Sequence, residues 1–116
     1  MTEAYELFQE GRSRLRQGMT AQATVPLEKA KRLEPEKASI REALGIAYFR
    51  LHRWAEAEAE FRAVLDISPT EAYAHYALGR TLEHLGRDIE ANGHYKLASS
   101  MDPTSNRYSR RVRSLP

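Results

Sequence analysis

Residues 38–71 read ASIREALGIAYFRLHRWAEAEAEFRAVLDISPTE, and the stretches before and after them follow the same pattern. The pattern is marked most plainly by Pro35, Pro69 and Pro103, which stand 34 residues apart each time. Self-similarity at a fixed period of this length is typical of repeat architectures, in which each unit is one supersecondary element. The chain therefore contains three tandem units of one kind.

Five further positions keep the same register relative to these prolines. One position always holds glycine, another always holds alanine, and the other three hold apolar or aromatic side chains. The sets are Gly11, Gly45 and Gly79; Ala23, Ala57 and Ala91; Leu27, Phe61 and Tyr95; Ala30, Val64 and Ala98; and Leu33, Ile67 and Met101. Small residues facing large ones at fixed spacing indicate close helix packing rather than catalysis.

Each unit contains two segments with helical periodicity. The predicted helices cover residues 3–17 and 20–33, then 37–51 and 54–67, then 71–85 and 88–101. Gly18 and Gly86 lie between the two helices of units one and three, where a helix end favours a positive φ. His52 holds the same place in unit two, where we expect it to be a costlier occupant.

The second unit resembles the tetratricopeptide repeat (TPR) family through Leu44-Gly45, Tyr48, Ala57, Phe61 and Pro69. The resemblance covers residues 4–105 and divides them into repeats 4–37, 38–71 and 72–105. It implies an all-α fold, a right-handed superhelical array of three antiparallel helical hairpins. We expect residues 1–116 to form a single domain, in which residues 106–116 are a short basic capping helix or tail.

The composition agrees with a helical globular protein that works inside the cell. The chain has 116 residues, of which 41% are hydrophobic and 29% charged, and it contains no cysteine. The acidic start and the absence of a long apolar run favour a cytoplasmic location without a membrane partner. The net charge is +2, but residues 107–116 hold four of the 18 basic side chains and no acid, so residues 1–106 carry −2.

No motif in the sequence indicates catalysis, a metal site or a cofactor. The four histidines never stand at the i, i+4 spacing of a helical metal site, and His75 is expected to be a partly buried residue between helices. Nucleophile elbows, phosphate-binding loops and dinucleotide fingerprints are absent. We interpret Glu56, Glu58 and Glu60 as a solvated surface, and we predict a non-enzymatic interaction scaffold or adaptor.

The family resemblance implies that the first helix of each hairpin lines a concave groove. Unit one would contribute Tyr5, Phe8, Arg12, Leu15 and Arg16; unit two Ser39, Glu42, Ile46, Phe49 and Arg50; and unit three Tyr73, Tyr76, Arg80, Glu83 and His84. Aromatic and arginine side chains are typical of binding hot spots. The predicted peptide-binding residues are Tyr5, Phe8, Arg12, Leu15, Phe49, Arg50, Tyr73, Tyr76, Arg80 and His84. The expected partner is a protein or peptide with apolar anchors and acidic groups.

One subfamily binds the terminal carboxylates of the Hsp70 and Hsp90 chaperones with a set of Lys, Asn and Arg side chains. The resemblance places Phe8, Arg12, Ala43, Tyr73 and Ala77 at those positions of this chain. Only Arg12 keeps a positive charge there. The sequence therefore lacks this carboxylate clamp, and we predict no appreciable binding to such tails.

Three alternatives remain open at this point. Some groove aromatics would instead pack between hairpins or against the tail. The last hairpin, covered only by a short segment with Tyr108 and Val112, would pair with another subunit as a homo-oligomer or continue into a longer chain. Lastly, the tail arginines Arg107, Arg110, Arg111 and Arg113 would touch nucleic acid or another anionic surface, but we favour a frayed solubilising terminus and do not expect a nucleic-acid partner.

Overall fold

The computed structural model describes residues 2–113. Within this range the chain is all-α, with no strand, and no helix has the length and apolar character needed to span a bilayer. The helices are α1 (Glu3–Arg16), α2 (Thr20–Leu33), α3 (Ala38–Arg50), α4 (Trp54–Ile67), α5 (Ala72–His84), α6 (Asp88–Met101) and α7 (Asn106–Ser109). The first six pair as three hairpins, which confirms the predicted array.

The turn within each hairpin has the backbone conformation that its sequence predicts. Gly18 and Gly86 both have φ of 77°, and His52 has φ of 59°. A left-handed conformation costs a residue with a Cβ atom roughly 1–2 kcal/mol, whereas glycine adopts it freely. His52 is therefore held in place by the packing of the second hairpin rather than by its own preference.

The repeated glycines let the two helices of each hairpin approach closely. A Cβ atom on Gly45 would lie 2.6 Å from the Phe61 ring, and one on Gly79 would lie 2.6 Å from Tyr95. Gly11 faces Leu27 in the same way. In each pair the repeated glycine contacts the repeated large side chain of the same hairpin. The 34-residue period therefore reflects one contact between a small and a large residue that occurs three times.

The hairpins stack in chain order, and their buried residues form one continuous core. The second helix of each hairpin packs against the first helix of the next, α2 against α3 and α4 against α5. Leu27, Leu44, Phe61, Leu78 and Tyr95 belong to the core cluster and are at most 1% exposed. The result is an elongated body of 48 × 24 × 21 Å.

Pro26 lies inside α2, yet the helix continues through it from Thr20 to Leu33. Proline lacks the N–H that would bond the carbonyl of Gln22 one turn earlier. That carbonyl accepts a hydrogen bond from Arg14 Nη1 at 3.1 Å instead. A side chain from α1 thus replaces the backbone donor that α2 has lost.

The interpretation of Glu60 as a solvated residue is wrong. Glu60 is only 4% exposed, and its carboxylate accepts hydrogen bonds from Lys31 Nζ at 2.8 Å and from Arg41 Nη1 at 3.2 Å. Residues at alternate positions do not share one face of a helix, and Glu60 lies three positions after the buried Ala57, on the same face. Glu60 therefore forms part of a buried polar contact between hairpins one and two.

The third hairpin holds two histidines where the second holds Arg41 and Glu60. Nδ1 of His75 lies 3.0 Å from Nδ1 of His94, and Nε2 of His75 lies 2.9 Å from the carbonyl oxygen of Pro69. Arg41 Nε donates to the carbonyl of Pro35 at the same distance of 2.9 Å. Arg41 and His75, which occupy equivalent positions, therefore both bond the carbonyl of the preceding proline, while their side-chain partner changes from Glu60 to His94. His75 was expected to be partly buried between helices, and it is buried there.

The C-terminal segment is ordered against the last hairpin. A capping helix is present but shorter than predicted, because α7 has four residues and is followed by a turn. Tyr108 is buried, and both it and Val112 pack on the core. Asn92 bonds the backbone of Arg113 twice, at 2.8 Å through its amide nitrogen and 2.7 Å through its oxygen. Residues 114–116 of the predicted capping segment lie outside the described residues.

Candidate peptide-binding groove

Three adjoining pockets lie along α1, α3 and α5. The N-terminal pocket, about 430 Å³, is lined by residues that include Tyr5, Phe8, Lys37 and Ser39. The central pocket, about 520 Å³, is lined by residues that include Phe8, Arg12, Leu15, Arg16, Ser39, Glu42, Ile46, Arg50 and Glu71. The C-terminal pocket, about 310 Å³, is lined by Ile46, Phe49, Arg50, Phe61, Tyr73, Tyr76, Ala77, Arg80 and Arg107.

The three pockets share walls and therefore form one groove. Phe8 and Ser39 line both the N-terminal and the central pocket. Ile46 and Arg50 line both the central and the C-terminal pocket. A ligand in an extended or helical conformation would thus meet a continuous surface from the start of α1 to the end of the array.

Aromatic rings and guanidinium groups alternate in the C-terminal pocket. The Arg80 guanidinium lies 5.1 Å from the centre of the Phe49 ring. The Arg107 guanidinium lies 4.7 Å from the Tyr76 ring and 5.6 Å from the Tyr73 ring. At these distances the cation is attracted to the face of the ring, which holds each long side chain in a defined place.

Acidic groups do not neutralise these arginines. Among residues 2–113, the ion pairs within 4.0 Å involve Arg14, Lys31, Arg41, Arg53, Arg62, Arg87, Arg111 and Arg113. Arg50, Arg80 and Arg107 are not in that set. Burial opposes ionisation of the Tyr76 hydroxyl, but the nearby Arg107 and Arg80 outweigh it, and the pKa of Tyr76 is lowered. The side chains that line this pocket therefore carry a net positive charge.

The central pocket has a mixed charge. Burial, and then the charge of Glu71, raise the pKa of Glu42 above its ordinary value. Two carboxylates thus line the same pocket as Arg12 and Arg16. Arg50, on the boundary with the C-terminal pocket, donates from Nη1 to the carbonyl of Leu15 at 3.3 Å. In the central pocket the arginines therefore stand beside two carboxylates. In the C-terminal pocket no carboxylate of residues 2–113 lies beside them.

Nine of the ten predicted site residues line the three pockets, and His84 does not. The His84 ring stacks on Trp54 with a centroid distance of 3.9 Å and an angle of 5°. Phe49 contacts both rings edge-on, at 5.0 Å from Trp54 and 5.5 Å from His84. His84 therefore supports Phe49 from behind the groove, together with Trp54, which the sequence analysis did not consider.

Tyr76 has two roles, because it lines the C-terminal pocket and is also buried. Its ring lies 5.1 Å from Tyr108 of α7 and 6.1 Å from Tyr95 of α6. The alternative in which a groove aromatic packs against the tail thus applies to Tyr76. Tyr5 is the opposite case, since it is 44% exposed at the N-terminal end and its hydroxyl accepts from Gln9 Nε2 at 2.7 Å.

The expectation of a frayed basic tail is wrong for residues 106–113. Arg111 and Arg113 form ion pairs with Glu83 at 3.2 and 3.4 Å. Arg107 projects over Tyr73 and Tyr76, as described above. Arg107 was not predicted as a groove residue, because it lies outside the 34-residue repeats and was considered only as a tail charge. Lys37 and Glu71 also line the groove and were not predicted. Arg107 and Arg110 are thus the two tail arginines without an ion pair within residues 2–113.

Comparisons with known proteins agree with this geometry. A family model for the tetratricopeptide repeat matches residues 38–71. A search of curated proteins gave no significant match. Among solved structures, the first TPR domain of Spaghetti (RPAP3) bound to the HSP90 peptide SRMEEVD is 22% identical, with a TM-score of 0.91 over 96% of this chain and 88% of that one.

Two other solved structures are similar in the same way. A mutant of MamA is 27% identical with a TM-score of 0.83, over 88% of this chain and 74% of that one. YrrB, a TPR protein with an unusual peptide-binding site, is 20% identical with a TM-score of 0.89, over 95% of this chain and 57% of that one. The chain therefore shares the fold of these TPR proteins, and its second repeat, residues 38–71, matches the family model for the tetratricopeptide repeat.

Proposed function

We propose that this protein is a non-enzymatic adaptor that binds a peptide or a helical segment of another protein in its groove. The observation that carries the proposal is the continuous groove along α1, α3 and α5, in which apolar rings stand beside arginines that form no ion pair with a carboxylate of residues 2–113. The Spaghetti domain is bound to an HSP90 peptide and YrrB has an unusual peptide-binding site, and both support the same use of this fold.

The chemistry of the groove favours a ligand with apolar anchors and acidic groups. Phe49, Tyr73 and Ile46 offer partly buried apolar walls into which a side chain of the ligand can insert. Aromatic and arginine residues in such pockets contribute most of the binding energy in measured interfaces. Hydrogen bonds from a guanidinium to a carboxylate are stronger than neutral ones and have a defined geometry.

Selection from a random peptide library displayed on phage would test this proposal. We expect the intact protein to enrich related peptides that carry apolar residues and acids. A Phe49→Ala, Tyr73→Ala variant should lose them, because both rings line the C-terminal pocket without being core residues. Replacing Arg50 and Arg80 with Ala should weaken the selected acidic peptides markedly.

The control for this selection changes an exposed apolar residue outside the groove, Val25→Ala on α2. It should enrich the same peptides as the intact protein. Failure of the intact protein to enrich any peptide family, or equal enrichment by the Phe49→Ala, Tyr73→Ala variant, would contradict groove binding. Tyr76 is left unchanged, since its burial makes a loss of folding the expected result of truncation.

Self-association is a second candidate, favoured by the outer face of α6. Ile89 is 80% exposed, Leu97 44% and Met101 38%, and Gly93 stands between Ile89 and Leu97 with open space around it. Residues spaced by four form a ridge of the kind that packs into the groove of another helix. This surface lies on the last hairpin, but on its side rather than at its end, where Tyr108 and Val112 already pack.

Sedimentation equilibrium over a wide concentration range would test the second candidate. An Ile89→Lys, Leu97→Lys variant should be monomeric if the intact protein dimerises through α6. Val25→Lys places the same charge on an exposed apolar position of α2 and serves as the control. An intact protein that stays monomeric at high concentration would rule out self-association as a function.

A further inference from the structure

We propose that the C-terminal pocket is the carboxylate-binding end of the groove, and that Arg107 of α7 completes it. The ligand class is a peptide in which a carboxylate stands next to an apolar side chain. Its uncharged or basic part would run over Glu42 and Glu71 in the central pocket. This inference rests on the proposed peptide binding and adds the direction of the ligand and the part played by the C-terminal segment.

The distribution of charge along the groove is the first argument. The central pocket contains two carboxylates, Glu42 and Glu71, beside its arginines. Of the residues that the structure describes, three arginines and no acidic residue line the C-terminal pocket. A carboxylate of a ligand is therefore attracted more strongly in the C-terminal pocket than in the central one, which orients a peptide more than it strengthens binding.

The placement of the guanidinium groups is the second argument. Arg80 is held by the face of Phe49, and Arg107 by the faces of Tyr73 and Tyr76. A ring contacts the flat face of a guanidinium, whereas its N–H donors lie in the plane and point outward. Both groups are thus held near these rings before a ligand arrives, and each guanidinium carries five N–H donors, more than one neighbouring hydroxyl can occupy. Less side-chain entropy is therefore lost on binding.

The third argument is that α7 has a fixed relation to the groove. Tyr108, the neighbour of Arg107, is buried against Tyr76. Further along, Arg111 and Arg113 are paired with Glu83 and Asn92. These contacts fasten the segment on both sides of the turn. They explain why Arg107, though it lies outside the repeats, can serve as a specificity residue of the groove.

The test uses peptides selected by the intact protein in the display experiment, synthesised in three forms. One keeps its acids and a free C-terminus, one has an amidated C-terminus, and one has Glu and Asp replaced by Gln and Asn. Affinities are measured by isothermal titration calorimetry for the intact protein, for Arg107→Gln and for Arg80→Gln. The control Arg110→Gln removes a charge from the same segment where no ion pair is present.

We expect Arg107→Gln to weaken the acidic peptide by about tenfold or more, as for loss of a charge-assisted hydrogen bond. The loss should disappear with whichever peptide form lacks the bound carboxylate, and this identifies its source as the terminus or a side chain. Arg80→Gln should behave alike, so the result does not depend on one variant. Arg110→Gln should bind as the intact protein does.

Two outcomes would overturn the inference while the proposed function stands. One is the selection of peptides without acids, and the other is an equal loss for acidic and neutral peptides, which would mean that Arg107 acts only on the fold. If the intact protein selects no peptides at all, both this inference and the proposed function fail.

Discussion

Glycine plays two different parts among the residues of this protein, and the neighbours of each glycine decide which. Gly45 sits against the ring of Phe61, where an added Cβ atom would lie 2.6 Å from it. Gly93 is inside α6 with nothing within 4 Å of an added Cβ atom. The first is required by packing, while the second only weakens its helix.

Opposite effects are expected for the same substitution at these two positions. Gly45→Ala should lower the free energy of unfolding by about 1–3 kcal/mol, because a buried ring has to move. Gly93→Ala should raise it by about 1 kcal/mol, the difference in helix propensity. Urea denaturation of both variants measures this directly. A stabilising Gly45→Ala would show that the hairpin has room that the structure does not indicate.

At the scale of elements, the contacts between α5 and α6 include the two facing histidines. The Pro69 carbonyl can only accept a hydrogen bond, so Nε2 of His75 carries the proton. In its neutral form His75 then accepts at Nδ1 from Nδ1–H of His94, 3.0 Å away. If both rings were protonated, two donors would face each other. The contact therefore requires that at least one ring stay neutral.

The third hairpin should consequently lose stability in mild acid. Burial, followed by the charges of His75 and Arg62, lowers the pKa of His94, against a smaller opposing effect of Glu90. The unfolded chain therefore takes up a proton at His94 at a higher pH than the folded protein does. Stability is fully present above the ordinary pKa of about 6.5 and falls as the pH drops from there through the lowered pKa of the folded state.

Urea denaturation at several pH values between neutral and mildly acidic would measure this fall. The matched control is His75→Arg, His94→Glu, which copies the Arg41 and Glu60 pair of the second hairpin. Its stability should change less over the same pH range. Equal pH dependence in the two proteins would assign the effect to groups other than the histidine pair.

For the whole molecule, the C-terminal segment both stabilises the last hairpin and contributes a residue to the groove. In a repeat array each unit contacts only its neighbours, so the last unit depends on whatever covers it. Here Tyr108 and Val112 cover the end, and Arg107 of the same segment reaches the C-terminal pocket. The same segment therefore covers the last hairpin and forms part of the wall of the candidate site.

Removing residues 106–116 should destabilise the protein by about 3–5 kcal/mol, the scale of losing a buried aromatic side chain. Hydrogen exchange should show the loss of protection mainly in α5 and α6, because hairpin one does not touch this segment. Arg110→Ala, which alters the segment without disturbing a described ion pair, should leave protection unchanged. Uniform loss over all six long helices would mean that the array unfolds as one unit.

The groove as a whole should not bind a chaperone tail. The peptide SRMEEVD, which the Spaghetti domain binds, should show no saturable change in fluorescence anisotropy when this protein is added, because its two glutamates precede the Val-Asp end and would lie over Glu42 and Glu71 in the central pocket. Phe8 and Tyr73 form apolar or aromatic walls where clamp members carry lysine. Saturable binding that is lost in Arg80→Gln would contradict this prediction and would point to a different way of holding the same carboxylates.

The sequence by itself determined the array of hairpins, because its strongest signals are contacts between residues close along the chain. Gly45 with Phe61, and the positive φ at Gly18, His52 and Gly86, recur with the period and need no knowledge of the whole fold. Most of the groove followed from the same register, since the first helices face one side. These features were predictable because they repeat.

Only the tertiary structure decided what does not repeat. Glu60 is buried because charged partners from hairpins one and two meet it, and His84 leaves the groove because Trp54 offers it a ring to stack on. Arg107 enters the groove because the segment after the last repeat folds back onto α5 and α6. Each of these features depends on contacts between side chains that are far apart in the sequence. Such contacts do not recur every 34 residues, so the repeat pattern does not predict them.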